Sequence, residues 1–290
     1  IIITSVPHDR TGATARWYNL DMNSTGHVSS TEGATRWLLG ATRKMFYLVP
    51  PRELALDESD KEPRWLAEEG VPLFFVLMIL EWMFIAIRRK VRPRETGVPS
   101  APRYRLAESL VCIMLGSVEQ LFVLLVGTLQ WVLDVSLYRY VYTHFRLATI
   151  DSKSQVWLCY FSLLLGKDLC YYAAHRFFHE YHIGWFSHSV HHSGEDYNLA
   201  TGLRQGVFQP FFTVLFYLPL ALCGFHPHAF SAHAQLNTLY MFWIHTDLVD
   251  RLPFGLEYIL NSPMAHRMHH RPPAHVSVAA KRVAASRLHR

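Results

Sequence analysis

The chain has 290 residues, half of them hydrophobic, which is the length of one or two soluble domains, yet its apolar residues gather into long runs that a soluble protein does not show. Its formal charge of +5 does not mark a nucleic-acid binder: Arg271–Arg290 holds five basic residues and no acidic one, the remainder balances at 23 against 23, and no aromatic-interleaved basic stripe accompanies the tail. Cys112, Cys159, Cys170 and Cys223 all lie in apolar runs without CxxC spacing, which argues against a disulfide framework and leaves metal chemistry to imidazole.

In chain order, the first ~40 residues show no sustained periodicity and read as loop, with a sequon at Asn23-Ser24-Thr25 and no secretory signal. Val71–Ile87 is apolar but for Glu81. Acidic residues precede it (Asp57, Glu58, Asp60, Glu62, Glu68, Glu69) and basic residues follow it (Arg88, Arg89, Lys90, Arg92, Arg94), so the positive-inside rule places the N-terminus in the lumen. Leu106–Leu133, Val156–Ala174, Gly206–Phe225 and Ala229–Val249 follow, each near the ~20 residues that cross a bilayer. Pro210 and Pro219 are expected to kink or split the fourth run, and a turn around Pro227 to join the last two as a hairpin.

The expected fold is therefore an all-α integral membrane protein, a multi-span helical bundle. Glu119, Lys167, Asp168, His233 and His245 are costly in lipid and should face its interior. Trp131, Tyr138, Tyr140 and Trp157 read as an interfacial belt.

Three histidine clusters occupy the second half: His175 and His179 in HRFFH, His188, His191 and His192 in HSVHH, and His266, His269 and His270 in HRMHH. Helical residues three and four apart share a face, with Cβ atoms roughly 5–6 Å apart, so each cluster aims its imidazoles at a common point. The adjacent pairs His191-His192 and His269-His270 fan out by about 100° and suit two neighbouring metals. His245, in FWIHTD, is a candidate ninth ligand or a hydrogen-bonded structural histidine. The expected topology brings all three clusters to the cytosolic face.

Imidazole suits zinc, iron, copper and nickel alike. A structural zinc takes four ligands and a hydrolytic zinc three plus water, so eight or nine histidines fit two metals with open positions better. A redox-capable pair beside lipid-facing helices points to O2 activation and attack on an alkyl C–H bond. HExxH spacing is absent from His179-Glu180-Tyr181-His182. Asp168, two turns before His175, is placed to orient a ligand or to pair with Lys167 or an arginine. Glu180 is a candidate for holding a polar cosubstrate or is simply a solvated carboxylate. The polar stretch from Ser193 to Asn198, with Thr201, Arg204 and Gln205 beyond it, either orients ligands or caps a helix; Asn198 is its candidate supporting residue.

HRFFH, HSVHH and HRMHH resemble the histidine boxes of the fatty acid hydroxylase/sterol desaturase superfamily of membrane non-haem iron oxygenases. Within it, RKMFYLVPPRE, HHSGEDYNLATGLRQ, FWIHTD and LNSPMAHRMHH are similar to the ether-lipid-cleaving members, the likeness running from about Arg43 to His270. The resemblance implies an endoplasmic reticulum enzyme with two irons and tetrahydrobiopterin. It would hydroxylate the ether-bearing carbon of a 1-alkylglycerol with O2, and the hemiacetal would collapse to fatty aldehyde and glycerol. A sterol or fatty-acyl hydroxylase or desaturase, and an inactive membrane metal-binding fragment, are the alternatives. The domains expected are an irregular lumenal segment 1–70, a transmembrane hydroxylase-like domain 71–270, and a basic tail 271–290 that is disordered or not native to the fold.

Overall fold

The computed structural model describes residues 30–91 and 104–271. The sequon, Arg92, Arg94 and the tail after Arg271 lie outside them, as do the side chains of 126–136, Trp131 among them. The chain divides into two compact units, Ile1–Trp37 and Leu38–Arg290. The first is described only over 30–37, a helical stretch in which the Thr35 hydroxyl donates to the Thr31 carbonyl at 2.8 Å.

Helices α1 (Ser30–Met45), α2 (Pro51–Leu54), α3 (Val71–Val91), α4 (Leu106–Phe145), α5 (Val156–Glu180), α6 (His182–His188), α7 (Gln209–Leu222), α8 (Pro227–Trp243) and α9 (Pro263–His269) follow one another, with no strand among the described residues. Each of the five apolar runs contains a helix, although α7 covers only Gln209–Leu222 of the fourth and α8 ends at Trp243, short of Val249. Among the described residues two helical segments, Leu66–Arg88 and Leu106–Leu125, are long and apolar enough to cross a membrane. Their exposed faces carry Phe75, Ile79, Trp82 and Phe84 on α3 and Leu110, Met114 and Leu121 on α4, apolar surface of the kind a membrane-associated protein turns to lipid.

The other three runs depart from the expected length or composition. At 14 residues α7 reaches about 21 Å, short of a ~30 Å hydrocarbon core. Its start is set by Pro210, which sits in the first turn where a missing N–H costs nothing, so the kink expected there does not arise. Pro219 falls inside the helix, which runs on to Leu222. In α5 and α8, Lys167, Asp168, His233 and Asn237 interrupt the apolar sequence.

Between α7 and α8 the chain reverses at Gly224, whose φ of +90° and close approach to the Ala148 carbonyl admit no Cβ. His226 then caps α8 by accepting the His228 N–H, and Pro227 opens the helix. Near this turn, Tyr138, Leu163, Tyr217, Leu220, Phe225 and Ala229 form a buried cluster joining α4, α5, α7 and α8. Full burial of a side chain such as Leu163 contributes roughly 1.5–3 kcal/mol relative to its exposure to water. Tyr138 stacks on Phe230 at 4.4 Å and donates to the Phe225 carbonyl, so it belongs to this core and not to an interfacial belt; Tyr140 and Trp157 are exposed. Glu119, Lys167, His233 and His245 are buried as expected of intramembrane polar residues, whereas Asp168 is exposed.

Candidate metal centre

Four chain segments deliver the imidazoles. The last turns of α5 carry His175 and His179 one turn apart. The second cluster is not one continuous helix: α6 ends at His188, and a 3-10 turn over His191–Ser193 carries the other two. The break leaves their convergence intact, since the Nε2 atoms of His188 and His192 stand 3.1 Å apart. His245 follows α8 on a turn in which its N–H donates to the Phe242 carbonyl. Ser262 caps α9 by accepting the Ala265 N–H, and Pro263 starts it, so that His266, His269 and His270 fall on its final turn.

The nine histidines form two groups, each with its ligand nitrogens within 4.8 Å of one another: His175, His179, His188, His192 and His269 in the first, His191, His245, His266 and His270 in the second. Both adjacent pairs are split, one member to each group. The close Nε2···Nε2 approaches are 2.9 Å (His175–His269), 3.1 Å (His179–His269), 3.3 Å (His191–His245), 2.9 Å (His245–His266) and 3.2 Å (His266–His270). Two nitrogens bound to one metal at roughly 2.0–2.1 Å stand about 2.9 Å apart at a right angle and about 3.3 Å apart in a tetrahedron. The observed spacings fill that interval.

Tautomers sharpen the point. His191 Nδ1 lies 2.9 Å from the Arg204 carbonyl and His245 Nδ1 2.7 Å from the Met241 carbonyl. A carbonyl oxygen only accepts, so each Nδ1 carries its ring's proton and each Nε2 presents a lone pair. Two lone pairs facing each other at 3.3 Å repel unless a cation lies between them. Protonation does not supply that cation. Burial, reinforced by neighbouring imidazoles, lowers His188 and His269 to about 4 and His175 and His192 to about 2, and holds His191 well below its ordinary value. The donor set therefore fits transition-metal ions held by neutral imidazole.

Around the imidazoles runs a supporting network. His188 Nδ1 donates to Gln209 Oε1 at 2.8 Å, and the Gln209 amide donates to Gln205 at 3.2 Å. Arg204, whose carbonyl orients His191, is fixed through its guanidinium by Glu108 at 3.1 Å, the Val190 carbonyl and Ser193. Asn198 caps the 3-10 turn Leu199–Leu203 that leads to Arg204, accepting from the Ala200 N–H at 3.0 Å. It touches no imidazole and acts on the backbone. Buried Glu81 accepts from the Leu199 N–H at 2.9 Å and from the Thr246 hydroxyl, tying α3 to the residues beside His245. Asp168 makes no hydrogen bond to a histidine and no ion pair with Lys167 among the described residues. Glu180 accepts from Arg176 at 2.8 Å on a half-exposed surface.

Gln209 and Glu81 had not stood out as site residues, although Glu81, the one charge in its apolar run, offered a signal. The Met241 carbonyl, being backbone, offered none. Replacing Gln209 by Leu leaves His188 free to rotate and should weaken metal retention by about 10–100-fold. Competition with a graded chelator measures this; unchanged retention would remove Gln209 from the supporting network.

One end of a cavity of about 1050 Å3 reaches His188, His191 and His245. Phe74, Leu203, Val214, Met241 and Phe242 make much of its wall apolar, while Gln205, Gln209, Lys167, Tyr171 and Asn237 add polar groups. A separate recess of about 270 Å3 is lined by His179, Glu180, Tyr181, His182 and Trp185.

The chain is similar in sequence to known proteins. Residues 160–281 match the family model for fatty acid hydroxylase. Over 79% of its length the chain is 37% identical to a Xenopus tropicalis protein named alkylglycerol monooxygenase and 36% identical to the human protein of that name, covering 47% of either. A Caenorhabditis elegans protein of the same name is 29% identical over 81% of the chain and 43% of the relative. The chain thus spans about half the length of the curated relatives it matches. No solved structure matches it. The two histidine groups and the apolar cavity thus belong to a chain whose residues 160–281 match the fatty acid hydroxylase model and which is similar, over 79% of its length, to proteins named alkylglycerol monooxygenase.

Proposed function

We propose that this chain forms the catalytic part of an iron-dependent monooxygenase that cleaves the ether bond of 1-alkylglycerols, using O2 and tetrahydrobiopterin, to give fatty aldehyde and glycerol. The observation that carries the reading is the opening of an apolar cavity onto two groups of neutral imidazoles. All nine histidines would serve as ligands, five to one iron and four to the other. Iron held there would supply O2 activation, and tetrahydrobiopterin would supply the electrons.

The chain's own residues do the rest. Phe74, Val214, Met241 and Phe242 hold the alkyl chain and exclude water from it. The amides of Gln205 and Gln209, at the imidazole end, offer hydrogen bonds to the glycerol hydroxyls and so set the ether-bearing carbon toward the metals. Asn198, Arg204 and Glu81 keep the ligand-bearing backbone in register. Asp168, exposed as it is, would act only through solvent. The recess beside Glu180 suits the pterin: Trp185 and Tyr181 present ring faces and Glu180 a carboxylate that accepts from ring N–H groups.

In this reading the domain 71–270 is multi-pass in the endoplasmic reticulum membrane. The basic residues after Ile87 hold the imidazole end on the cytosolic side, as the sign of the flanking charges favours.

Aldehyde release from a labelled 1-alkylglycerol, by membranes containing the chain with and without tetrahydrobiopterin, tests the proposal. Pterin-dependent aldehyde is the expected result. Iron-loaded protein that oxidises a sterol or fatty-acyl substrate instead, with no aldehyde, would overturn it.

A further inference from the structure

Three helices bring polar side chains to a second level of the cavity. Lys167 on α5 lies eight positions before His175, Asn237 on α8 eight before His245, and Tyr217 on α7 eight after Gln209. At 1.5 Å per residue, that level stands about 12 Å along the helices from the imidazoles. Lys167 is 3% exposed and lines the cavity with Tyr171, Tyr217 and Asn237. Its Nζ donates to the Tyr217 hydroxyl at 2.7 Å and to Asn237 Oδ1 at 3.3 Å, and sits 4.3 Å and 5.2 Å from the ring centres of Tyr217 and Tyr171.

No carboxylate pairs with this amine among the described residues, and its sequence neighbour Asp168 is exposed. An intramembrane lysine without a counter-ion is costly unless something polar meets it. As an ammonium Lys167 has three donors, of which two are used here, and the Tyr217 hydroxyl, having accepted from Lys167, still has a proton to donate. Lys167 and Tyr217 therefore offer donors that no anion meets among the described residues: Glu119 and Glu62 also line the cavity, but neither makes a hydrogen bond or ion pair to them.

We propose that this level is a binding station for a long-chain carboxylate, seated with its anionic end on Lys167 and Tyr217 and its chain along the apolar wall. A carboxylate is slim enough to lie between α5, α7 and α8, and it completes a charge-assisted pair with a buried amine. The inference rests on reading the cavity as a lipid-chain site, but not on the reaction proposed above. If that reaction holds, the long-chain acid competes with the alkyl chain of the substrate for the same wall.

Equilibrium binding of radiolabelled palmitate and hexadecanol to the purified full chain in nanodiscs, at a pH where the acid is ionised, tests the station. The two probes share a chain and differ in the end group. The wild type should prefer palmitate by about tenfold or more, as a charge-assisted pair warrants. Lys167→Met should abolish the preference while hexadecanol binding persists, and Lys167→Arg should keep it. Equal affinity of the wild type for the two probes, or a preference that survives in Lys167→Met, would overturn the proposal; the wild-type comparison stands even if the Met variant fails to fold. Because the assay needs no metal, O2 or pterin, palmitate preference without aldehyde release would retire the oxygenase reading alone, and the converse would retire this one.

Discussion

Replacing His191 by alanine should lower the metal content of the chain and cut aldehyde release by more than the roughly 10–100-fold that loss of an outer supporting group costs. His191 is buried, its Nδ1 proton is committed to the Arg204 carbonyl, and its Nε2 faces those of the second group. Alanine removes one of the four donors of the second group and leaves His245, His266 and His270 to hold the ion. Elemental analysis of the purified variant, beside the exposed control His144→Ala, reads the effect directly. Full metal occupancy in His191→Ala would end its assignment as a ligand, whatever happened to turnover.

The second large effect is on stability. Glu81 is 3% exposed and accepts hydrogen bonds from the Leu199 N–H and the Thr246 hydroxyl, one on each of two segments that build the metal centre. Glu81→Leu strands both donors without water to replace the carboxylate, at about 1–3 kcal/mol each. A total near 4 kcal/mol is a large share of the ~5–15 kcal/mol by which a folded domain is stable. Denaturant unfolding in detergent should show this loss, with Glu81→Gln, which keeps one acceptor, falling between. A Leu variant as stable as the wild type would show that the carboxylate clamp contributes nothing.

These two residues also mark what was legible in the sequence. His191 announced itself by type and spacing, because imidazoles three and four apart on a helix have few structural reasons to recur three times. The eight histidines of the three clusters, and the candidate ninth, His245, do lie in the two groups, even though HSVHH is broken between α6 and a 3-10 turn. Glu81 was visible only as an oddity within an apolar run, since its partners are 118 and 165 positions away in the chain. The Arg204 and Met241 carbonyls were not legible at all, because every residue has one. Helix existence followed from apolar runs, but helix length did not: Pro210 began α7 where a kink was expected, and Tyr138 entered the core where a belt was expected. Asp168, two turns before His175, shares its helix but turns outward, which periodicity alone could not decide.

The division of His191-His192 and His269-His270 between the two groups has a thermodynamic corollary. A single peptide bond joins a donor of one group to a donor of the other, twice over. Filling either group immobilises backbone that the other needs, so the ordering entropy of the second ion is largely met by the first. Loading should therefore be cooperative, with a half-filled protein scarce at every metal concentration, and by reciprocity stripping one ion loosens the hold on its neighbour.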